Sequence, residues 1–159
     1  MGILTALAPA HRQGTDFGIT SVCSAHPVVL RAAIRRAALH HTPVLIEATC
    51  NQVNHRGGYT GLDPAAFAAL VQRIAAQEAL PDGVLALGGD HLGPNPWRHL
   101  PADAAMMQAR AMIRAYAAAG FAKLHLDASI GCAGEGEALD DTVTATRAAS
   151  LAAGGADHV

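Results

Sequence analysis

Asp90 and His91 are the residues best suited to chemistry, and they stand side by side in the segment GGDHLGPN (88–95). A neutral imidazole is a good zinc ligand, while a neighbouring carboxylate can act as an acid/base or hold the ring in place. The flanking glycines allow a ligand to approach the backbone closely. His91 is therefore a candidate metal ligand and Asp90 a candidate catalytic acid/base, although an Asp-His pair also occurs often by chance.

A second polar group follows in the segment KLHLDAS (123–129). Side chains alternate across a strand, so His125, Asp127 and Ser129 share one face, opposite Leu124 and Leu126. One interpretation is a polar layer beside His91, with Asp127 as a second acid/base and His125 and Ser129 as substrate ligands. The other is a buried cluster whose members satisfy one another by hydrogen bonding.

A long loop rich in glycine and carboxamides follows Glu47. Its three carboxamides, Asn51, Gln52 and Asn54, can hydrogen-bond sugar hydroxyls, and we place them with Glu47 among the candidate substrate-binding residues. The alternative is an irregular loop in which the Asn side chains satisfy the loop's own backbone.

These residues need a scaffold that gathers them, and the hydrophobic pattern provides one. Short apolar runs alternate four times with helical spacing, which is typical of parallel α/β structure. The predicted strands are 18–23, 43–48, 84–88 and 123–127. In a parallel barrel the carboxyl ends of the strands face one cavity, and all the residues above lie at or just after the carboxyl ends of predicted strands.

Helices are predicted between the strands from apolar residues at positions i, i+3, i+4 and i+7. Aspartates and glycines indicate where they begin and end. The signals are Asp63 with Pro64 at the start of the second helix, Asp103 as the cap of the third, Gly120 at its end, and a fourth helix over about 141–153 closed by Gly154-Gly155.

The predicted fold is the first half of a TIM (β/α)₈ barrel, with about four β/α units. Such a barrel takes roughly 250 residues, so residues 1–159 are expected to be the N-terminal part of a single domain. The expected fifth strand begins at 156–159, where the sequence stops. Two open sheet edges also favour an oligomer or a second chain. A doubly wound sheet is the alternative, but no Gly-x-Gly-x-x-Gly turn follows the first strand.

Composition narrows the classes of function. The chain is 51% hydrophobic and 15% charged, with a net charge of -2, which argues against a nucleic-acid-binding surface. The sequence contains neither a basic run nor an apolar stretch of about 18 residues, and either feature would have indicated a membrane. The expected location is cytoplasmic. Three widely spaced cysteines without a Cys-x-x-Cys pair support neither a disulfide scaffold nor a zinc knuckle.

Taken together, five segments in order resemble one family, the non-catalytic (Z) subunit of D-tagatose-1,6-bisphosphate aldolase. That family has also carried the label tagatose-6-phosphate kinase, and its fold is similar to that of the class II, zinc-dependent aldolases. The segments are SVCSAHP (21–27), IEATCNQVN (46–54), GGYTG (57–61), GGDHLGPN (88–95) and HLDAS (125–129).

The resemblance implies a role in galactitol and N-acetylgalactosamine breakdown, in which a Z-type subunit stabilises a catalytic aldolase subunit that cleaves a sugar bisphosphate. In class II aldolases an Asp-His pair supplies the acid/base and a zinc ligand, which by motif are Asp90 and His91. The remaining ligands would lie on later strands. The zinc or other divalent-metal site is therefore expected to be incomplete in this chain.

Two functions follow as hypotheses. The first is an aldolase-stabilising subunit that retains a sugar-phosphate pocket. The second is a divalent-metal-dependent aldolase or epimerase in its own right, in which Asp90 or Asp127 would transfer a proton. A kinase is disfavoured because the sequence has no Gly-x-x-x-x-Gly-Lys-Ser/Thr loop and its one lysine, Lys123, begins a predicted strand.

Overall fold

One four-stranded sheet organises the chain. A computed structural model describes residues 3–156. The strands are parallel and lie in sequence order, as β1 (Thr20–Cys23), β2 (Val44–Thr49), β3 (Leu85–Leu92) and β4 (Lys123–Leu126). All four predicted strands are confirmed. The third continues to Leu92 rather than ending at residue 88, because glycines and a polar pair conceal its last part in the sequence.

Within residues 3–156, five helices accompany the strands: α1 (Leu7–Arg12), α2 (Pro27–His40), α3 (Pro64–Gln77), α4 (Ala102–Ala118) and α5 (Asp141–Ala156). Short 3₁₀ turns occupy Ile3–Ala6, Gly58–Thr60 and Asn95–Trp97. The first 3₁₀ turn and α1 were not predicted, because a segment this short carries little periodic signal. The turn at Ile3–Ala6 contacts β3 near its start.

Two of the three predicted signals at the ends of α3 and α4 are confirmed. The carboxylate of Asp63 accepts a hydrogen bond of 2.8 Å from the backbone N–H of Ala66 and caps α3. Helix α4 ends just before Gly120, which has a φ of +79°. The prediction for Asp103 is wrong. Pro101 occupies the N-cap position and Asp103 lies in the first turn, where its charge still faces the positive end of the helix dipole.

Helix α5 does not stop at Gly154-Gly155 as predicted. It continues through both glycines to Ala156, and residues 157–159, where the fifth strand was expected, lie outside the described residues. Packing against α4 accounts for Gly155, because a Cβ on Gly155 would stand 3.2 Å from Cγ2 of Ile113. A glycine pair can therefore permit close contact between helices instead of ending one.

The strand order supports the barrel prediction over the doubly wound alternative. Each helix from α2 to α5 contacts the next one along the chain, so the four helices form one layer on one face of the sheet. A doubly wound sheet would place helices on both faces and reverse the strand order at some point. The chain is thus an open α/β sheet of about four β/α units, consistent with half of a (β/α)₈ barrel.

The apolar core lies between the sheet and the helix layer. Val44, Ile46 and Ala48 of β2 are buried there against residues of the helices, which include Phe67 and Tyr116. The other face of the sheet carries a set of polar side chains. In the described part of the chain, no helix combines the length and apolar character needed to cross a membrane.

Candidate functional site

A β-bulge at the end of β3 places Asp90 and His91 together. Gly89 pairs with Leu124 and Leu92 pairs with Leu126, so β3 uses one more residue than β4 between these two points. His91 has a φ of +49°, in the left-handed region that few residues other than glycine adopt. Because the bulge interrupts the alternation of side chains, both Asp90 and His91 can face the open side of the sheet.

Asp90 contacts two histidines, His91 on its own strand β3 and His125 on the neighbouring strand β4. One carboxylate oxygen lies 2.8 Å from Nδ1 of His125 on β4, and the other lies 3.0 Å from Nδ1 of His91. The two imidazole rings are 4.5 Å apart between centroids. The three residues each offer a ligand atom, and these atoms lie within 4.8 Å of one another. The sequence predicted only His91 as a metal ligand, and the structure adds Asp90 and His125 to the cluster.

The pKa of Asp90 reflects competing effects. Burial raises the pKa, but hydrogen bonds from His125 and His91 and the charges around it outweigh burial, so the pKa lies below its ordinary value. Asp90 is therefore ionised at neutral pH. An ionised carboxylate between two histidines can ligate a cation itself or fix the orientation of both rings.

Beside this cluster lies a chain of polar contacts that spans the sheet. Glu47 on β2, only 4% exposed, accepts hydrogen bonds from the hydroxyl of Ser21 on β1 and the ammonium of Lys123 on β4. Nζ of Lys123 also lies 3.9 Å from the carboxylate of Asp90. Glu47 was predicted to bind substrate. That role stays a prediction. In the structure Glu47 binds two partners within the sheet, Ser21 and Lys123.

Gly88 makes the contact between Glu47 and Lys123 sterically possible. In the strand register Glu47 pairs with Gly88, and Gly88 pairs with Lys123, so the glycine lies between the two charged residues. A Cβ at position 88 would stand 2.8 Å from Oε1 of Glu47. The Glu47 side chain therefore crosses β3 above Gly88, where the absence of a side chain leaves space for it.

Asp127 faces a cleft next to the cluster. Its carboxylate accepts hydrogen bonds of 3.0 and 2.7 Å from the backbone N–H and hydroxyl of Ser129. Burial raises the pKa of Asp127, but these hydrogen bonds and the nearby histidines lower it below its ordinary value overall. The cleft has a volume of about 270 Å³, and its lining includes Asn51, His91 and Asp127. We call it the first cleft.

Gly93 allows the loop after β3 to lie against the end of β4. A Cβ at this position would overlap the carbonyl oxygen of Asp127. The backbone N–H of Asp127 in turn donates a 2.9 Å hydrogen bond to the carbonyl of Leu92. These contacts hold Asp127 near His91, although Asp127 itself follows the last residue of β4.

The carboxamides of the loop after β2, which we call the second loop, have different surroundings. Asn54 is 4% exposed; its amide donates to the carbonyl of Cys50, and its oxygen accepts from the backbone N–H groups of Arg56 and Gly58. Gln52 accepts a hydrogen bond of 2.9 Å from the N–H of Thr49. These contacts favour a loop-stabilising role for both residues, and their predicted role in substrate binding stays untested.

Of the predicted site residues, Asn51 and Asp127 line the first cleft with His91, and Asp90 and His125 adjoin His91. Ser129 orients Asp127, while Glu47, Gln52 and Asn54 are held by contacts within the protein. Sequence reasoning noted Ser21 at the end of the first strand without including it among the site residues, and it missed Lys123 as a neighbour of the site. Alternation along β4 already placed Lys123 on the face of His125, and this signal could have identified it.

The three cysteines are poor nucleophiles in this structure. Cys50 and Cys132 are buried, and desolvation is the main cause of the raised pKa of each thiol. Cys23 on β1 is exposed, yet partial desolvation and the charge of Asp90 raise its pKa to about 11. None of the three is therefore activated as a thiolate at neutral pH.

Comparisons with known proteins identify relatives of this chain. The chain is 66% identical over 151 residues to a D-tagatose 6-phosphate 4-epimerase of Agrobacterium fabrum, and it covers 36% of that protein. A crystal structure of a probable tagatose 6-phosphate kinase from Sinorhizobium meliloti 1021 superposes with a TM-score of 0.86 at 62% identity, covering 90% of this chain and 37% of that one.

The chain thus spans about a third of the length of these two relatives. The sequence profile of one family matches residues 4–158, which is nearly the whole chain. This match agrees with the resemblance seen in the five sequence segments. The chain belongs to the family of D-tagatose-1,6-bisphosphate aldolase subunits of the GatZ/KbaZ-like type.

Proposed function

We propose that this protein takes part in a divalent-cation-dependent C4 epimerisation of a ketohexose phosphate of the tagatose type. The observation that carries the proposal is the cluster of Asp90, His91 and His125 beside the carboxylate of Asp127. The similarity to a D-tagatose 6-phosphate 4-epimerase supports the substrate class. The four β/α units would then form part of a single barrel domain.

The cluster fits a divalent cation by its chemistry. Two imidazoles and one carboxylate are ligands that zinc accepts, and three protein ligands leave a position open for substrate. Asp90, His91 and His125 would hold the cation, which would polarise the ketose carbonyl and stabilise negative charge on its oxygen. The left-handed backbone of His91 supports this role, because strain of this kind is often retained at functional sites.

A reversible aldol cleavage explains how a relative of aldolases could epimerise C4. A base removes the proton of the C4 hydroxyl, the C3–C4 bond breaks, and its electron pair moves toward the C2 carbonyl. The aldehyde fragment then presents its other face, and the bond re-forms as the alkoxide regains the proton. Asp127 is placed to transfer this proton, because its carboxylate lines the first cleft together with His91.

The test uses the protein expressed from its complete reading frame. We expect it to convert D-tagatose 6-phosphate into its C4 epimer, as followed by NMR, and to lose this activity on treatment with a chelator. Asp90→Asn should lower the affinity for Zn²⁺, whereas Asp127→Asn should keep the metal and lose turnover. Full activity of both variants would rule out the proposed site.

The second candidate function is that of an aldolase-stabilising, non-catalytic subunit, and the family description favours it. In that case the protein would act in the cytoplasm, in galactitol or N-acetylgalactosamine catabolism, as an oligomer with a catalytic aldolase subunit. Co-expression with such a subunit distinguishes the two. A longer aldolase half-life at 37 °C that His91→Ala leaves unchanged would favour this candidate over the epimerase.

Phosphoryl transfer, which the name of the similar crystal structure suggests, receives less support from the described residues. A kinase of the P-loop type needs a lysine in a glycine-rich loop to contact the phosphates of ATP. Lys123 instead lies at the start of β4 and contacts Glu47. An assay for ADP formation with ATP and D-tagatose 6-phosphate would detect this activity directly.

A further inference from the structure

A second cleft lies next to the first one and is not used by the proposed chemistry. It has a volume of about 460 Å³, and its lining includes Asn51, Arg56, Tyr59 and Trp97. Asn51 lines both clefts, so the two adjoin at this residue. One elongated ligand could therefore occupy both clefts.

The loop that forms the second cleft is held in shape by its own contacts. The buried carboxamide of Asn54 accepts hydrogen bonds from the N–H groups of Arg56 and Gly58, at 2.9 and 3.1 Å. The N–H of Tyr59 donates to the carbonyl of Asn51 at 2.9 Å. Gly58 has a φ of +53° and packs tightly on the backbone of Gln52, so a side chain there would clash. These contacts hold the backbone of Arg56 and Tyr59 in a defined place.

The opposite wall of the second cleft is equally well supported. Trp97 is 7% exposed and belongs to the 3₁₀ turn after β3. The ring of His55 packs against it, with 5.3 Å between centroids, and Nε2 of His55 lies 3.1 Å from the Gln108 side chain. A cleft between two supported walls changes little when a ligand enters, which lowers the entropic cost of binding.

Arg56 gives the second cleft its charge. It is the one arginine or lysine among the residues that line either cleft. Its side chain is exposed and makes no hydrogen bond or ion pair within residues 3–156. The first cleft, in contrast, contains the carboxylate of Asp127 and has neither arginine nor lysine in its lining. An anionic group would therefore be placed at the Arg56 end.

We propose that the second cleft is an anion subsite, in which Arg56 binds the phosphate of the ketose phosphate while the carbonyl end lies at Asp90, His91 and His125. Arginine binds phosphate with two parallel N–H donors, and the amide of Asn51 and the hydroxyl of Tyr59 can add further donors. This inference rests on the proposed function for the identity of the sugar. The phosphate chemistry itself depends only on the residues of the cleft.

The first test measures binding of inorganic phosphate by calorimetry to the protein expressed from its complete reading frame. We expect Arg56→Gln to weaken binding roughly tenfold or more, as the loss of a charge-assisted bidentate contact predicts. Arg73→Gln on α3 is the matched control, since Arg73 is exposed and lines neither cleft. Equal phosphate affinity of Arg56→Gln and the unmodified protein would overturn the proposal.

The second test compares D-tagatose 6-phosphate with unphosphorylated D-tagatose. Arg56→Gln should raise KM for the phosphate ester about tenfold and leave KM for the free sugar unchanged. Arg56-dependent phosphate binding without epimerisation would refute the proposed function and leave the subsite standing. Epimerisation of the ester with the same KM in Arg56→Gln would refute the subsite and leave the proposed function standing.

Discussion

The carboxylate of Glu47 on β2 contacts the ammonium of Lys123 on β4, although a whole strand lies between them. The contact crosses β3 at Gly88, and it ends next to Asp90 of the candidate metal cluster. Glu47 is almost fully buried, so its charge requires compensation. The ion pair therefore links the stability of the sheet to the electrostatics of the site.

Removing one partner of this pair should cost more than removing both. Lys123→Met leaves the buried carboxylate of Glu47 with the Ser21 hydroxyl as its remaining partner among the described residues, and we expect a loss of about 2 kcal/mol in the free energy of unfolding. The double variant Glu47→Gln/Lys123→Met should recover part of that loss. Urea unfolding of the unmodified protein, the two single variants and the double variant measures the coupling, and additive losses would show that the pair contributes nothing.

A methyl group at Gly88 should separate Glu47 from Lys123. Since a Cβ there would stand 2.8 Å from Oε1 of Glu47, we expect Gly88→Ala to lower the free energy of unfolding by roughly 1–3 kcal/mol. Gly18→Ala is the control, because that glycine has no atom within 4 Å of an added Cβ and no positive φ. Similar unfolding midpoints for the two variants would contradict the steric role of Gly88.

An ion pair between α2 and α3 should make stability depend on pH in the acid range. Hydrogen bonds from Arg35 and Arg31 lower the pKa of Glu78 from 4.5 to about 2. Because the folded pKa is the lower one, this stabilisation is fully present above pH 4.5 and is lost as the pH falls toward 2. Unfolding midpoints of the protein and of Glu78→Gln should therefore converge over this range. A constant difference would refute the assignment.

Tyr116 connects α4 to the second loop. Its buried hydroxyl donates a 2.9 Å hydrogen bond to the carbonyl of Val53, just before Asn54. Tyr116→Phe should cost about 1–3 kcal/mol, because the carbonyl loses a partner in a buried place. Amide exchange of residues 50–60 should also become faster. Tyr59→Phe is the control, since that side chain is 74% exposed and should leave both measurements unchanged.

Much of the fold follows from the sequence alone. Periodic apolar residues predicted all four strands, and Asp63 and Gly120 marked the ends of helices correctly because capping depends on a few adjacent residues. Gly154 and Gly155 misled the same reasoning. Gly155 allows close packing against Ile113 of α4, which is distant in the sequence, and a local signal cannot distinguish that role from a helix end.

The candidate site also depends partly on local sequence and partly on tertiary structure. The sequence by itself determined that Asp90, His91, His125 and Asp127 lie at strand ends, since the periods of helices and strands are local properties. Only the tertiary structure decided which of them meet. The strand register sets Glu47 level with Lys123, and the bulge in β3 brings His91 beside His125. Register and bulges arise from pairing between strands that are far apart in the chain, so no local pattern encodes them.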